Sequence, residues 1–147
     1  MILNFYTDGA VKENKNSTKK NCIGGVGIFC QELNLEISQA YPNATNNIME
    51  LKAILEAIKY VISNGLLLNN EIVIHSDSQY SINCCTVWYK SWNAKKNGWK
   101  DKKNPELIKE ISTLLETHQN IKLKWVKGHS GVYGNEKADY LANKVYM

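Results

Sequence analysis

Arginine is missing from this sequence of 147 residues, and all 18 of its basic residues are lysines. Asparagine is equally frequent, with 18 residues. An AT-rich genome also produces such an enrichment, so the net charge of +4 does not by itself indicate a nucleic-acid partner. The positions of the lysines are more informative than their number.

Long apolar segments are also lacking. No apolar run approaches the roughly 18–20 residues that span a bilayer. The N-terminal residues Met1–Phe5 have neither the basic residues nor the long apolar stretch of a secretory signal. The four cysteines, at positions 22, 30, 84 and 85, do not have the spacing of a metal finger, which favours idle thiols in a reducing compartment. These absences predict a cytoplasmic protein without a membrane partner.

The composition is that of an ordinary globular protein, 44% hydrophobic and 22% charged. A chain of 147 residues can bury a substantial core without disulfides. The sequence contains no internal repeat and no linker-like stretch, so we expect one domain over residues 1–147.

The first third of the chain has the pattern of three short strands. Ile2–Thr7 is apolar on both faces and precedes Asp8-Gly9, which predicts a buried strand that ends in a turn. The polar segment 11–21 predicts an exposed loop. Ile23–Cys30 and Leu35–Tyr41 predict two further strands, and together the three predict an antiparallel meander.

Helical periodicity begins after these strands. Apolar residues at three- and four-residue spacing predict a helix over Asn46–Asn64. The later predictions are, in chain order, a strand at Ile72–Ile74, a short helix, a Trp/Lys-rich segment from Trp88 to Lys103, a helix from Pro105 to about His118, a strand at Ile121–Val126 and a helix over Gly134–Val145. This order predicts an α/β fold, with a mixed five-stranded sheet flanked by helices. Strands 1–3 are expected to be antiparallel and strands 4 and 5 parallel.

Glu50 lies on the apolar face of its predicted helix. At about 100° per residue, the residues within about 60° of it are apolar, namely Ala53, Ile54, Ala57 and Val61. A carboxylate that faces a core is costly unless it is paired or binds a cation. The alternative is a first-turn glutamate that interacts favourably with the helix dipole.

Asp8 and Asp77 each follow a predicted buried strand. Taken alone, Asp8 is equally explained by a hairpin turn, and Asp77 by the N-cap of the next helix. If strands 1 and 4 are parallel neighbours, however, both emerge at the carboxyl edge of the sheet, where open α/β sheets place their ligands. Asp139 borders the apolar face of the last helix, and alone it would be an ordinary surface acid.

Carboxylates that converge at one edge raise one another's pKa unless a cation compensates their charge. Oxygen-only ligands in a partly open site suit Mg²⁺ or Mn²⁺. Two such ions about 4 Å apart can activate a water molecule and stabilise the leaving oxygen in phosphodiester hydrolysis. The pattern therefore indicates a metal-dependent nuclease.

Four motifs carry a resemblance to a known family. They are YTDGA at Tyr6–Ala10, TNNIMEL at Thr45–Leu51, HSDSQY at His75–Tyr80, and GHSG followed by GNEKAD within Gly128–Asp139. In this order and spacing, the sequence from Ile2 to about Val145 resembles type 1 ribonuclease H. We expect no separate hybrid-binding module before Met1, a layout similar to the stand-alone bacterial or viral form.

The resemblance implies an endonuclease that hydrolyses the RNA strand of RNA–DNA hybrids with two Mg²⁺ ions, or Mn²⁺, and leaves 5′-phosphate and 3′-hydroxyl ends. It implies that Asp8, Glu50, Asp77 and Asp139 are the metal ligands. His129 would be the histidine of a flexible loop that assists proton transfer or product release, although His129 taken alone would be better explained as a surface loop histidine. His75 and His118 match nothing catalytic. We expect a monomer.

The resemblance extends in part to substrate contacts. Gly9, Asn46 and Gln79 match positions that contact the RNA strand and the minor groove of the hybrid, where the 2′-hydroxyls lie. Thr45 and Asn83 match polar positions that hold a phosphate of the DNA strand.

The segment Trp88–Lys100 is similar to the basic protrusion of the family. Interleaved lysines and tryptophans can neutralise phosphates and pack against nucleotides. An ordinary solvated face is the alternative, but it would not usually include three tryptophans. The residues predicted to bind nucleic acid here are Trp88, Trp92, Lys95, Lys96, Trp99 and Lys100.

Two other classes of protein remain open. One is a different nuclease on the same fold, such as the RNase H domain of a reverse transcriptase, an integrase-like enzyme or a junction-resolving enzyme. The basic segment and the histidine loop favour the type 1 form. The other is a non-catalytic hybrid-binding protein, which would be expected to lack at least one of the four carboxylates. The chain could also be a piece of a polyprotein.

Overall fold

The computed structural model describes residues 1–12 and 22–146, and this part of the chain forms five strands and five α-helices. The strands are Ile2–Lys12 (β1), Ile23–Cys30 (β2), Leu35–Tyr41 (β3), Glu71–Ser76 (β4) and Ile121–Trp125 (β5). The helices are Asn46–Ser63 (α1), Gln79–Asn83 (α2), Tyr89–Ala94 (α3), Pro105–Thr117 (α4) and Tyr133–Asn143 (α5). A π-helical turn at Cys84–Trp88 joins α2 to α3, and a 3₁₀ turn at Lys144–Tyr146 follows α5.

The strands form one mixed sheet in the order β3-β2-β1-β4-β5. β2 is antiparallel to both β1 and β3, whereas β4 is parallel to both β1 and β5. Parallel neighbours need long crossover connections, which α1 and the α2–α4 region provide. The sheet that the hydrophobic pattern predicts is confirmed.

The predicted turn at Asp8-Gly9 is wrong. β1 continues through both residues to Lys12, because Asp8 pairs with Gly27 and Gly9 pairs with Val26. Pairing with β4 ends earlier, at Thr7, so Asp8 extends beyond its parallel neighbour. The segment predicted as a loop over 11–21 thus begins in strand, and its residues 13–21 lie outside the described part of the chain.

α1 covers one face of the sheet and forms the core with it. Its buried side chains recur at three- and four-residue spacing, as predicted, and α4 packs against its outer side. The largest fully buried side chains come from β1, β2, β4, α1 and α4, and include Leu3, Phe5, Ile28, Ile54, Ile58, Ile72, Ile74, Ile108 and Ile111. Thr45 begins the helix, because its hydroxyl accepts a hydrogen bond from the Ile48 N–H at 3.2 Å.

α5 packs on the opposite face, directly against β2. A Cβ at Gly27 would lie 2.1 Å from the carbonyl oxygen of Ala138, so only glycine permits this approach. Gly27 is the register partner of Asp8. The contact therefore brings the residue after Ala138, which is Asp139, to the level of Asp8.

The chain after β4 is helical for longer than predicted. Helical backbone runs from Gln79 through the π-helical turn to Ala94 and includes the first part of the Trp/Lys-rich segment. Among the described residues, no helix has the length and apolarity that crossing a membrane requires.

Candidate active site

Asp8 lies where β1 passes beyond the end of β4, and it is only 4% exposed. Its Oδ1 accepts a hydrogen bond from the Gly9 N–H at 3.0 Å. A hairpin turn does not explain this residue, because it is paired inside a strand. A carboxylate buried to this degree requires compensation by a proton, a hydrogen-bond donor or a cation.

Glu50 reaches Asp8 because α1 crosses β1 at very close range. A Cβ at Gly9 would lie 2.5 Å from the backbone nitrogen of Glu50, so glycine is required at the crossing. The Gly9 N–H donates to Glu50 Oε1 at 3.1 Å, while Glu50 Oε2 is buried without a hydrogen-bond partner. The helix-dipole explanation fails, because the first turn of α1 contains no acidic residue.

Asp77 follows the last residue of β4 and is half-buried. The N-cap explanation fails for it, because Ser78 caps α2 by accepting a hydrogen bond from Ser81 N–H at 3.2 Å. The amide of Asn135 donates to Asp77 Oδ2 at 3.4 Å, and the indole N–H of Trp125 donates to the Asp77 backbone carbonyl at 3.3 Å. These contacts from α5 and β5 hold Asp77 at the sheet edge.

The structure brings the predicted carboxylates together. One oxygen each from Asp8, Glu50 and Asp77 lie within 4.8 Å of one another. Asp139, on α5, is close enough to hydrogen-bond to Asp8 and to repel the charge of Glu50. We call these four residues the acidic cluster.

The protonation of the acidic cluster reflects its burial. Burial raises the pKa of Asp8 far above its usual range, and the neighbouring charge of Glu50 raises it further. Burial also raises the pKa of Glu50, to which the charge of Asp77 contributes. The close approach of the two carboxyls raises the pKa of Asp8 further and partly offsets the rise at Glu50, so the two acids titrate as a coupled pair.

The acidic cluster fits a hard divalent cation. All of its donors are carboxylate oxygens, which are the ligands that Mg²⁺ and Mn²⁺ favour. Its members other than Asp8 are half-buried, which leaves the partly open position that a hydrated ion and a substrate phosphate need. The partnerless oxygen Glu50 Oε2 is the strongest sign, because an ion at this position would compensate its burial.

His129 lies on the exposed loop between β5 and α5, with a left-handed φ of +53°. The same loop contacts the acidic cluster, since a Cβ at Gly128 would lie 2.9 Å from Asp77 Oδ2. His129 therefore follows, along the chain, the residue that contacts Asp77, and its imidazole is open to solvent. His75 is different, because it stacks on the Tyr6 ring at 4.4 Å, which is a packing role.

The positions predicted to contact the hybrid lie close to the acidic cluster along the chain. Gly9 follows Asp8 in β1. Thr45 and Asn46 are exposed at the start of α1, the helix that carries Glu50. Gln79 is exposed at the start of α2, and Asn83 is half-buried at its end. Gly9 and Gln79 thus lie within two residues of a carboxylate of the cluster along the chain, and Asn46 lies about one helical turn before Glu50.

The predicted basic protrusion divides into a packed part and an exposed part. Trp92 and Trp99 are half-buried against the core and meet edge to face at 5.2 Å. The ammonium groups of Lys102 and Lys109 lie 4.9 Å and 4.7 Å from the centres of these rings. The exposed part, open to a ligand, consists of Trp88, Lys95, Lys96 and Lys100. The packed tryptophans thus form the scaffold on which the exposed lysines are displayed.

Three polar groups beside the acidic cluster were missed from the sequence. They are the amides of Asn135 and Asn143 and the indole of Trp125, each of which donates to an aspartate of the cluster. The signal available for Asn143 was its spacing, four residues after Asp139 on the same helical face. Asn135 is 2% exposed, but its sequence surroundings do not distinguish it from a surface residue.

The strand order and the acidic cluster define an α/β protein of the ribonuclease H-like class. The sequence model of the family described as RNase H matches residues 2–146. The chain is 41% identical over 146 residues to the ribonuclease H of Francisella philomiragia, covering 95% of this chain and 87% of that protein. It is 37% identical over 149 residues to the ribonuclease H of Herminiimonas arsenicoxydans, covering 97% of this chain and 92% of that protein. The chain belongs to the ribonuclease H family and is a ribonuclease H enzyme.

Solved structures show the same fold. LC9-RNase H1, described as a type 1 RNase H with the type 2 active-site motif, superposes with a TM-score of 0.75 at 25% identity, covering 98% of this chain and 71% of that one. The PFV RNase H domain superposes with a TM-score of 0.77 at 23% identity, covering 97% of this chain and 92% of that domain. The chain spans 20% of the Prototype Foamy Virus protease–reverse transcriptase, with a TM-score of 0.75 at 23% identity.

Proposed function

We propose that this ribonuclease H cleaves the RNA strand of RNA–DNA hybrids by two-metal-ion phosphodiester hydrolysis. The observation that carries the proposal is the convergence of oxygens from Asp8, Glu50 and Asp77 within 4.8 Å of one another, with the buried Glu50 Oε2 unpartnered. Membership in the ribonuclease H family supports the RNA strand of a hybrid as the substrate.

The proposed reaction is a hydrolysis. Two Mg²⁺ or Mn²⁺ ions, when bound, would activate a water molecule and stabilise the charge on the leaving oxygen. The water oxygen forms a bond to phosphorus, the bond from phosphorus to the ribose 3′ oxygen breaks, and that oxygen takes up a proton. The products are a 5′-phosphate and a 3′-hydroxyl.

The chain's own residues hold and orient the reacting groups. We assign Asp8, Glu50, Asp77 and Asp139 as the metal ligands, because each approaches the site from a different element of the fold. This preorganisation places negative charge where cations are needed, with no rearrangement at the moment of reaction. We assign His129 to proton transfer or product release, since its loop contacts Asp77 and leaves the ring in solvent.

Substrate binding is assigned to the polar residues that border the acidic cluster. Gly9, Asn46 and Gln79 would contact the RNA strand in the minor groove, where a 2′-hydroxyl distinguishes RNA from DNA. Thr45 and Asn83 would hold a phosphate of the DNA strand.

The basic protrusion would bind the same duplex away from the acidic cluster. Lys95, Lys96 and Lys100 are exposed and would neutralise phosphates. Trp88 is 41% exposed and borders a cleft of about 420 Å³ beside Tyr80. Trp92 and Trp99 would support this surface from below. The chain would act as a single catalytic domain over residues 1–147 and as a monomer.

The proposal is tested with labelled RNA–DNA hybrid, double-stranded RNA and double-stranded DNA, each with Mg²⁺ and with excess chelator. We expect cleavage of the RNA strand in the hybrid only, and only with Mg²⁺. The ends are checked by ligation, for which a 5′-phosphate and a 3′-hydroxyl are required. Tight hybrid binding without any cleavage would support the non-catalytic alternative, and cleavage in chelator would exclude the metal mechanism.

A further inference from the structure

Asn143, the last residue of α5, contacts Asp139 twice. Its Nδ2 donates to the Asp139 backbone carbonyl at 2.9 Å and to Asp139 Oδ1 at 3.3 Å. A side-chain amide carries two N–H donors, so both bonds can exist at once. Asn143 therefore ties the Asp139 carboxylate to the backbone of its own helix.

This double contact restricts a side chain that would otherwise be mobile. Asp139 is half-buried on a helix surface, where an aspartate exchanges among staggered rotamers. A hydrogen bond to Oδ1 favours one of them. In that orientation the Asp139 carboxyl remains within hydrogen-bonding reach of Asp8 on the neighbouring strand.

Asp139 needs this support more than the other carboxylates do. Asp8 is buried, and Glu50 and Asp8 share the Gly9 N–H as a donor. Asp139 stands outside the group of three residues whose oxygens lie within 4.8 Å of one another. Its contribution to the site therefore depends on the direction in which its side chain points.

We propose that Asn143 is a positioning residue of the active site, which holds the Asp139 carboxylate in the orientation that completes the metal site. The inference rests on the proposed function, because it requires Asp139 to be a ligand. Groups that orient metal ligands by hydrogen bonding typically contribute about 10-fold to 100-fold in metal affinity or activity. Asn143 would act through Asp139, whose carboxylate it contacts.

A purely structural role is the competing explanation, and the chain offers a matched control for it. Asn64 caps the end of α1, and its Nδ2 donates to the Tyr60 carbonyl at 2.8 Å. Asn64 thus makes the same helix-end bond, four residues back, as Asn143 makes to the Asp139 carbonyl. It lies 14 residues after Glu50 along α1, or about 21 Å along the helix axis. Asn64→Ala removes the helix-end bond and leaves the acidic cluster untouched.

The experiment compares wild type with Asn143→Ala, Asn143→Leu and Asn64→Ala. Leucine has the branched shape of asparagine without its hydrogen-bonding groups, so the two Asn143 variants separate lost packing from lost hydrogen bonding. Three quantities are measured: the Mg²⁺ concentration for half-maximal hybrid cleavage, the KM for the hybrid, and the thermal midpoint in chelator. In addition, the carboxylate ¹³C signal of Asp139 is followed during an Mg²⁺ titration without substrate.

We expect both Asn143 variants to raise the Mg²⁺ requirement by roughly 10-fold, with little change in KM. The Mg²⁺-dependent change in the Asp139 signal should move to correspondingly higher concentrations. Asn64→Ala should lower the thermal midpoint by about as much as Asn143→Ala does, because each variant loses one helix-end hydrogen bond. Unlike the Asn143 variants, Asn64→Ala should leave the Mg²⁺ requirement at the wild-type value.

The outcomes separate the two claims. Asn143 variants that cleave hybrids with the wild-type Mg²⁺ requirement would overturn the positioning role and leave the proposed function intact. Absence of cleavage by the wild-type protein in Mg²⁺ would overturn the proposed function. In that case the ¹³C titration still decides, because an Asp139 signal that responds identically in wild type and Asn143→Leu contradicts the inference.

Discussion

Replacing Glu50 by glutamine should make the protein more stable in chelator, although it removes a proposed metal ligand. Glu50 Oε1 accepts a hydrogen bond from the Gly9 N–H, and a glutamine oxygen can do the same. The second oxygen is buried without a partner, and the glutamine amide would place a donor there, beside the Asp8 carboxyl. The variant thus relieves charge repulsion while retaining shape.

The size of the effect follows from the perturbed acid. Burial and the charge of Asp77 raise the pKa of Glu50 from 4.5 to about 7, against the hydrogen bond from Asp8 that lowers it. Each pKa unit corresponds to about 1.36 kcal/mol, so ionised Glu50 costs about 3 kcal/mol of folding free energy. For a domain of this size, about 1 kcal/mol shifts the thermal midpoint by about 2–4 °C, which predicts an increase of about 6–12 °C.

The sign of the pH dependence is fixed by the direction of this shift. Because the folded pKa of Glu50 lies above the unfolded one, its stabilising contribution is complete below 4.5 and is lost as the pH rises through about 7. Wild type and Glu50→Gln should therefore have similar midpoints near about pH 4 and differ fully near about pH 8. In Mg²⁺ the order should reverse, since wild type gains metal-binding energy that the variant lacks. If Glu50→Gln were less stable than wild type in chelator at the higher pH, the ionised Glu50 carboxylate would not be the destabilising group that the pKa shift indicates.

Three further predictions concern the basic protrusion, the crossing of α1 over β1 at Gly9, and the metal. Replacing Lys95, Lys96 and Lys100 by alanine in one variant should raise KM and reduce the slope of log affinity against log salt by up to about 3. The control, Lys102→Ala, should mainly lower the thermal midpoint. A fall in the kcat of the triple variant with unchanged KM would contradict this assignment. Gly9→Ala should displace α1 and reduce cleavage by about 100-fold in a folded protein, which circular dichroism and single-turnover kinetics would check. Ca²⁺ should permit hybrid binding without efficient turnover, because its looser coordination fits the required geometry poorly, and rapid cleavage in Ca²⁺ would argue against a strict Mg²⁺ geometry.

The fold was predictable because each element has its own periodicity. The spacing of the apolar residues in α1 predicted both the helix and the burial of Glu50, since position around a helix follows from residue number alone. The backbone at Asp8-Gly9 was predicted incorrectly, because an Asp-Gly pair after a strand is typical of a turn. The extension of β1 depends on pairing with the glycine-rich β2, which is tertiary information.

The site was predictable to the level of which residues meet, but not how they are held. Parallel pairing of β1 and β4 was enough to place Asp8 and Asp77 at one edge. The partners of the carboxylates depend on side-chain orientation, which residue spacing does not determine, and so Asn143 was missed. In the basic protrusion, Trp92 and Trp99 match a binding pattern in sequence, yet they pack on each other beneath lysine side chains.

The most direct test of the account compares wild type and Asp77→Asn for RNA-strand cleavage in Mg²⁺, with the thermal midpoint in chelator as the control for folding. Asparagine is close to aspartate in size and can still accept the hydrogen bond from Asn135, and Ser78 rather than Asp77 caps α2. We expect cleavage to fall by several orders of magnitude while the midpoint stays the same or rises, because one charge leaves the repelling cluster. Near-normal cleavage by the folded variant would remove Asp77 from the catalytic set and contradict the account.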